Sequence, residues 1–248
     1  MLENCKQFCC GLAEKKSAQA HFLVHESRCG ILCSRCKYKE SMNCAGCLAI
    51  DKPFWSDSCP VKDCCEVQGH DHCGLCPKFP CDMLNEFAYD KEEGDNGLRI
   101  EQCRNWAKSS KLLKRASEVI ADATTDWKKG ICTLAIIDND GFPTASTVSL
   151  AKAEGLKWLT FVTGLGSNKA KRIEKSNKAS VCFNSPDYNI TLVGTIEILT
   201  DPKTKKDTWY NGCEFHFSGT DDPNYCVLKF VPHRYCIFAQ NDEIEGTI

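Results

Sequence analysis

The chain has 248 residues, a net charge of −2, and 42% hydrophobic against 26% charged residues, a globular balance that excludes a disordered or fibrous polypeptide. That length predicts one large or two modest domains, and the near-neutral charge provides no positive field to draw in nucleic acid or anionic lipid. Cysteine is the outlier, at 20 residues, fifteen of them between Cys5 and Cys103.

Such a skew describes two different polypeptides joined in one chain: residues 1–97, rich in cysteine, and residues 98–248. The N-terminal stretch from Met1 to Lys6 holds no apolar run of signal length, and the best candidate, Ala18 to Val24, is short and contains a histidine. No segment approaches the roughly 20 apolar residues of a membrane span. A cytoplasmic protein is therefore expected, away from membranes, with reduced thiols whose clustering points to metal ligation rather than disulfides.

The cysteine spacing is tight: Cys29, Cys33 and Cys36, then Cys44 and Cys47, then Cys59 and Cys64, then Cys73, Cys76 and Cys81. Three C-x-x-C knuckles stand out, because two intervening residues let one turn aim both sulfurs at a common ion. Two knuckles complete a four-thiolate site. Cys44/Cys47 can pair with Cys73/Cys76 or with Cys33/Cys36, and either zinc or an iron–sulfur cluster uses these ligands. His70 and His72 flank Cys73 and offer a replacement ligand. Cys5, Cys9 and Cys10 either complete a site or are free thiols. Residues 27–90 resemble a small uncharacterised prokaryotic cysteine-rich domain with a CGxxCxxC start (Cys29 to Cys36) and a CGxCxxFPC end (Cys73 to Cys81). The resemblance implies metal binding. Residues 1–103 carry 12 basic against 16 acidic residues, so a basic nucleic-acid face is not expected.

A charged, glycine-bearing hinge spans residues 90–97. Leu112, Leu113, Ala116, Val119, Ile120, Ala123 and Trp127 then recur at helical spacing, predicting a packing helix of about twenty residues, ended by Gly130. Beyond it the period becomes two. Ile131–Ile137 is an apolar run, Asp138-Asn139-Asp140-Gly141 a hairpin turn, and Phe142, Thr144, Ser146 and Val148 share one face of the next strand. Further strands are expected over 156–163, 179–184, 190–199, 226–231 and 235–239, with a short helix from about Pro202 to Trp209 and Tyr210. About seven strands with few helices predict a β-barrel, so the whole reads as α+β.

Between Phe161 and Ile173 a strand ends at Thr163, a glycine loop follows, and Ser167 can cap a short helix carrying Lys169 and Arg172. Unpaired amides at a helix start and two full charges make a phosphate cradle. Neither a Walker loop nor a Rossmann turn fits the spacing.

Residues 110–240 resemble the pyridoxamine 5′-phosphate oxidase-like split-barrel superfamily, most closely its general-stress-protein branch. The matching landmarks are Asp140 to Ser146, Leu159 to Thr163, Ser167-Asn168-Lys169, Val193-Gly194-Thr195, Asp201, and Asp221 to Tyr225. The resemblance implies a split β-barrel and a homodimer that holds FMN in the cleft between subunits. By position, Thr163, Ser167 and Lys169 would hold the phosphate, and Thr147, Val148 and Ser149 would lie along the isoalloxazine ring; Asn168 and Arg172 are further cofactor-binding candidates. Many relatives carry an arginine where this chain has Ser146 or Thr147, and the true oxidase has a basic C-terminal segment that is not matched here, so pyridoxamine phosphate oxidation is not expected. His216 reads as an ordinary loop or core histidine. The function expected is an FMN-dependent oxidoreductase acting on a small-molecule substrate or electron donor. The alternative is a non-enzymatic flavin- and metal-binding sensory or interaction protein.

Overall fold

The structure is a computed structural model that describes residues 25–248; Cys5, Cys9, Cys10 and the segment Ala18 to Val24 lie outside the described residues. The cysteine-rich region is built from short elements: a 3₁₀ turn at Cys33–Arg35, helix α1 (Tyr38–Ser41), α2 (Pro60–Val67), a 3₁₀ turn at Cys73–Leu75, and α3 (Asp82–Ala88). Pro60 opens α2 at a first-turn position where its missing N–H costs nothing.

Helix α4 (Leu98–Ala123) is longer than the periodicity predicted and starts fourteen residues before Leu112. Its 26 residues span about 39 Å, and they serve two cores. Ile100, Cys103 and Trp106 pack with Val61, Cys65, Cys73, Leu84 and Ala88. Leu112, Leu113, Ala116, Val119 and Ile120 enter the core of the sheet. The helix ends at Ala123, so Trp127 lies beyond it in a turn. Gly130 closes that turn: a β-carbon there would overlap the carbonyl oxygen of Ala123.

Eight strands follow: β1 (Ile131–Ile137), β2 (Pro143–Ser149), β3 (Lys152–Ala153), β4 (Leu159–Gly164), β5 (Lys178–Ser185), β6 (Tyr188–Leu199), β7 (Tyr225–Ala239) and β8 (Asp242–Thr247). Helix α5 (Asn168–Ile173) lies between β4 and β5, and α6 (Pro202–Thr208) between β6 and β7. The strands form one curled antiparallel sheet in the order β2-β1-β5-β6-β7-β4-β3, with β8 on the second half of β7. This half-barrel with its helices is an α+β split-barrel architecture, as expected. The Asp138–Gly141 turn forms as read, Asp138 N–H donating to the Phe142 carbonyl at 2.8 Å.

The two strands expected over 226–231 and 235–239 are one, and the reason is local. Pro232 has no N–H to give the ladder, and the register shifts opposite it between Val193 and Gly194. Gly194 lacks the β-carbon that would collide with the Val231 carbonyl oxygen. The bulge absorbs the proline, and the strand continues. That uninterrupted strand lets β4 pair with its first half and β8 with its second, which curls the sheet around α4.

Candidate functional site

At one corner of the half-barrel, β4, α5 and β2 converge. Thr163, buried at the end of β4, donates its hydroxyl to Ser167 Oγ at 3.1 Å. Ser167 is the N-cap of α5 and accepts the Ala170 amide at 3.2 Å. Its oxygen thus receives two protons from within the protein, leaving its own hydroxyl proton to point outward. Asn168 is exposed and Lys169 half-buried on the first turn. Arg172 reaches across to β2, where Nη1 donates to Thr144 Oγ1 at 2.6 Å. Thr144 passes its own proton to the Ile136 carbonyl at 3.0 Å, so the guanidinium is fixed to the β1–β2 hairpin. Among the described residues, no carboxylate pairs with Lys169 or Arg172.

The loop itself is arranged otherwise than its glycines imply. The amides of Leu165 and Gly166 are taken by Asn224, through its carbonyl oxygen at 2.7 Å and its side-chain oxygen at 3.0 Å. Gly164 packs directly on the Asn224 amide group. Those amides are unavailable to a ligand, so the donors left at this corner are the Ser167 hydroxyl, which Thr163 positions, two cations and the first-turn amides of α5. That set fits a phosphate ester.

Of the three ring-side candidates on β2, the pleat separates them. Val148 is buried toward the core, whereas Thr147 is exposed and Ser149 half-buried on the opposite face. Only the backbone of Val148 can meet a ligand on the outer face. Ser149 hydrogen-bonds Tyr210, whose hydroxyl is pushed up from its ordinary pKa by burial and by the nearby Cys213, against that bond. Tyr210 stacks near Trp127, with ring centroids 6.2 Å apart, and Phe215 lies 6.4 Å from the same indole. This aromatic group borders the outer face of β1–β2, where Ile131 is also exposed. His216 is exposed beside Phe217. Thr144, Asn224 and Tyr210 were not singled out as site residues by sequence reasoning. Asn224 carries a signal in its Asp-Asp-Pro-Asn-Tyr run, but its contact with Gly166 spans 58 residues and is visible only in the fold.

In the cysteine-rich region the ten candidate ligands do not form a shared centre. Two knuckles do adjoin: the Cys47 amide donates to Cys33 Sγ at 3.5 Å, and Gly46 lies against the same sulfur. Burial raises the Cys33 thiol, helped by the neighbouring Cys36 and Cys44, and raises Cys47 to about 11, with Cys29 and Cys59 near. Cys59 and Cys81 sit at the N-caps of α2 and α3, and Cys76 ends the turn begun by Cys73. Yet among the described residues no three His, Cys, Asp or Glu side chains are grouped closely enough to hold a metal ion. Of the two knuckle pairings open from the spacing, Cys47 adjoins Cys33, while Cys73 meets Cys65, and Cys64 lies on α2 beside Cys65. His70 is half-buried. His72 is fully buried, accepts the Gly74 amide at Nδ1 (3.1 Å), and leaves Nε2 without a partner. Burial pushes its pKa down to about 4, and the neighbouring His25 adds to that.

The curled antiparallel sheet and the cationic corner at the start of α5 place the second half of the chain among split-barrel proteins. Residues 114–236 match the family model described as pyridoxamine 5′-phosphate oxidase. Over that span the chain carries a pyridoxamine 5′-phosphate oxidase-like domain. Residues 25–86 match a model described as protein of unknown function (DUF3795). Among solved structures, a Clostridium acetobutylicum protein related to general stress protein 26 is 28% identical, covering 56% of this chain and 95% of its own, with a TM-score of 0.49. General stress protein 26 from Bacillus anthracis is 20% identical (52% and 98% covered, TM-score 0.44). A pyridoxamine 5′-phosphate oxidase-related, FMN-binding protein from Nostoc punctiforme is 17% identical (58% and 96% covered, TM-score 0.37). No curated protein matches this chain. No helix among the described residues is long and apolar enough to cross a membrane.

Proposed function

We propose that the split-barrel half binds FMN and that the protein is a flavin-dependent oxidoreductase acting on a small molecule. The observation that carries this reading is the donor set at the β4–α5 corner, inside the span that matches the oxidase family. The Ser167 hydroxyl, positioned by Thr163, the amides of Asn168 and Lys169, the Lys169 ammonium and the Arg172 guanidinium would hold the phosphate. The charge of that group would satisfy two cations that have no carboxylate partner among the described residues. The backbone of Thr147–Ser149, at the outer face of β2, would run beside the ring. FMN supplies hydride or single-electron chemistry when bound, and the protein's part is to orient the ring and shape its surroundings.

The same outer face exposes Ile131, with Phe215 beside Trp127, which supports a homodimer with the flavin at the subunit boundary. Solvent-exposed apolar groups around a ligand cleft are stabilised when a second copy covers them.

Absorption spectroscopy of anaerobically purified protein, with sedimentation to fix its mass, tests this. A two-banded yellow spectrum from a dimer, or stoichiometric uptake of added FMN, is the expected result. A colourless protein that takes up no FMN overturns it.

A further inference from the structure

We propose that Cys65 and Cys73 form a redox-active dithiol, which closes to an intramolecular disulfide under hydroperoxide. Their sulfurs lie 3.4 Å apart in a buried site. Both are free thiols. Among the described residues no third metal-binding side chain is grouped with the pair. Two thiols in contact can be oxidised to a disulfide.

The backbone fixes both cysteines in place. Cys65 sits in the last turn of α2, and the chain reverses directly behind it, with the His70 amide donating to the Cys65 carbonyl at 2.9 Å. Gly69 makes that reversal at φ +66°. Cys73 is held from the other side: its amide donates to the Arg28 carbonyl at 2.8 Å, and Gly74 fits so closely on α4 that a β-carbon would overlap the Cys103 carbonyl oxygen. Cys65 Sγ approaches the same Arg28 carbonyl at 3.8 Å. Loop closure between the two cysteines is complete in the reduced fold. The sulfurs need to approach by only about 1.4 Å to reach the bonded distance of about 2.05 Å.

The reaction balances with one oxidant. The two thiols give up two electrons and two protons, the S–S bond forms, the O–O bond of hydrogen peroxide breaks, and two waters leave. Cys65 is 3% and Cys73 8% exposed, so a bulky disulfide such as oxidised glutathione is excluded and the oxidant has to be as small as hydrogen peroxide. The pair lies in the core shared by α2 and the first turns of α4, away from the β4–α5 corner, and the proposal is independent of flavin binding.

The test uses the full chain, purified with reductant, assayed for bound metal, freed of reductant and exposed to hydrogen peroxide. Remaining thiols are alkylated, and the protein is cleaved after Glu66 to separate the two cysteines. Mass spectrometry without reduction is expected to find the Cys65 peptide joined to the Cys73 peptide, releasable by dithiothreitol. That link persists in Cys64→Ser and is lost in Cys65→Ser, and oxidised glutathione at the same concentration forms less of it. Recovery of both thiols alkylated overturns the proposal. So do a bond from Cys73 to Cys29, Cys64 or Cys103, or a stoichiometric metal whose removal is needed before any of these thiols reacts. The wild-type map decides even if a variant fails to fold.

Discussion

Asn224 accepts the Gly166 amide proton through its side-chain oxygen at 3.0 Å, tying the loop after β4 to the turn before β7. Removing that oxygen in Asn224→Ala leaves the amide without its partner and is expected to cost about 1 kcal/mol of stability, measured by urea unfolding. Asn224→Asp keeps an acceptor but sets a negative charge beside the cationic corner. Its stability is expected to stay near wild type while its FMN affinity falls, a separation that fluorescence titration reads directly.

Lys169→Ala removes one charge-assisted contact to a phosphate, worth about 1.5–3 kcal/mol. FMN binding should weaken by roughly 10- to 100-fold, and the loss should shrink at high salt. An unchanged dissociation constant would remove Lys169 from the phosphate corner.

Thr144→Val deletes the oxygen that holds the Arg172 guanidinium while leaving every charge in place. Weaker FMN binding with unaltered salt dependence is expected. Arg172→Lys should not restore full affinity, since a lysine lacks the planar fork that can serve Thr144 and a phosphate together.

Cys132 is buried in the barrel core, and burial, assisted by the nearby Cys182, pushes its thiol up to about 12. The unfolded chain ionises this thiol near 9, so the folded state is fully favoured below that pH. Stability is lost as pH rises from about 9 toward 12, by about 1.4 kcal/mol for each pH unit. Urea midpoints measured at pH 7.5 and 10 should differ, and Cys132→Ala should reduce the alkaline slope, to which Cys47, Cys103 and Cys226, each raised by burial, also contribute, while lowering stability at both.

Gly194→Ala is expected to cost about 3 kcal/mol. The new methyl group meets the Val231 backbone rather than a movable side chain. A thermal scan showing no loss would contradict the account of the bulge opposite Pro232.

Much of the barrel was legible because its strands alternate. Ile131–Ile137, the Asp138–Gly141 turn and the strand after it follow from period two and one turn signal. What escaped did so for physical reasons. Ala107 to Lys111 offers no bulky apolar residue, so the pattern of α4 is legible only from Leu112, although Ile100, Cys103 and Trp106 continue the same helix into the other core. Asp242–Thr247 is acidic around the single apolar Ile244 and forms a strand only because the second half of β7 has an open edge. Thr163, Ser167 and Lys169 are close in sequence and could be grouped from it. Thr144 and Asn224 reach them through strand register, which a single sequence does not display. The cysteine spacing suggested shared centres, but the fold spends Cys65 and Cys73 on each other and distributes other thiols among helix caps.

One 26-residue helix contributes side chains to both hydrophobic cores. The N-terminal half therefore does not own a complete interior, whereas every residue of the sheet core lies at or beyond Leu112. A fragment ending at residue 97 would lose Ile100, Cys103 and Trp106 and the surface on which Gly74 sits, while one beginning at residue 110 keeps each helix residue of the sheet core. The two halves should melt together in a single transition. For the N-terminal half to be inherited alone, it would have to take the first turns of that helix with it.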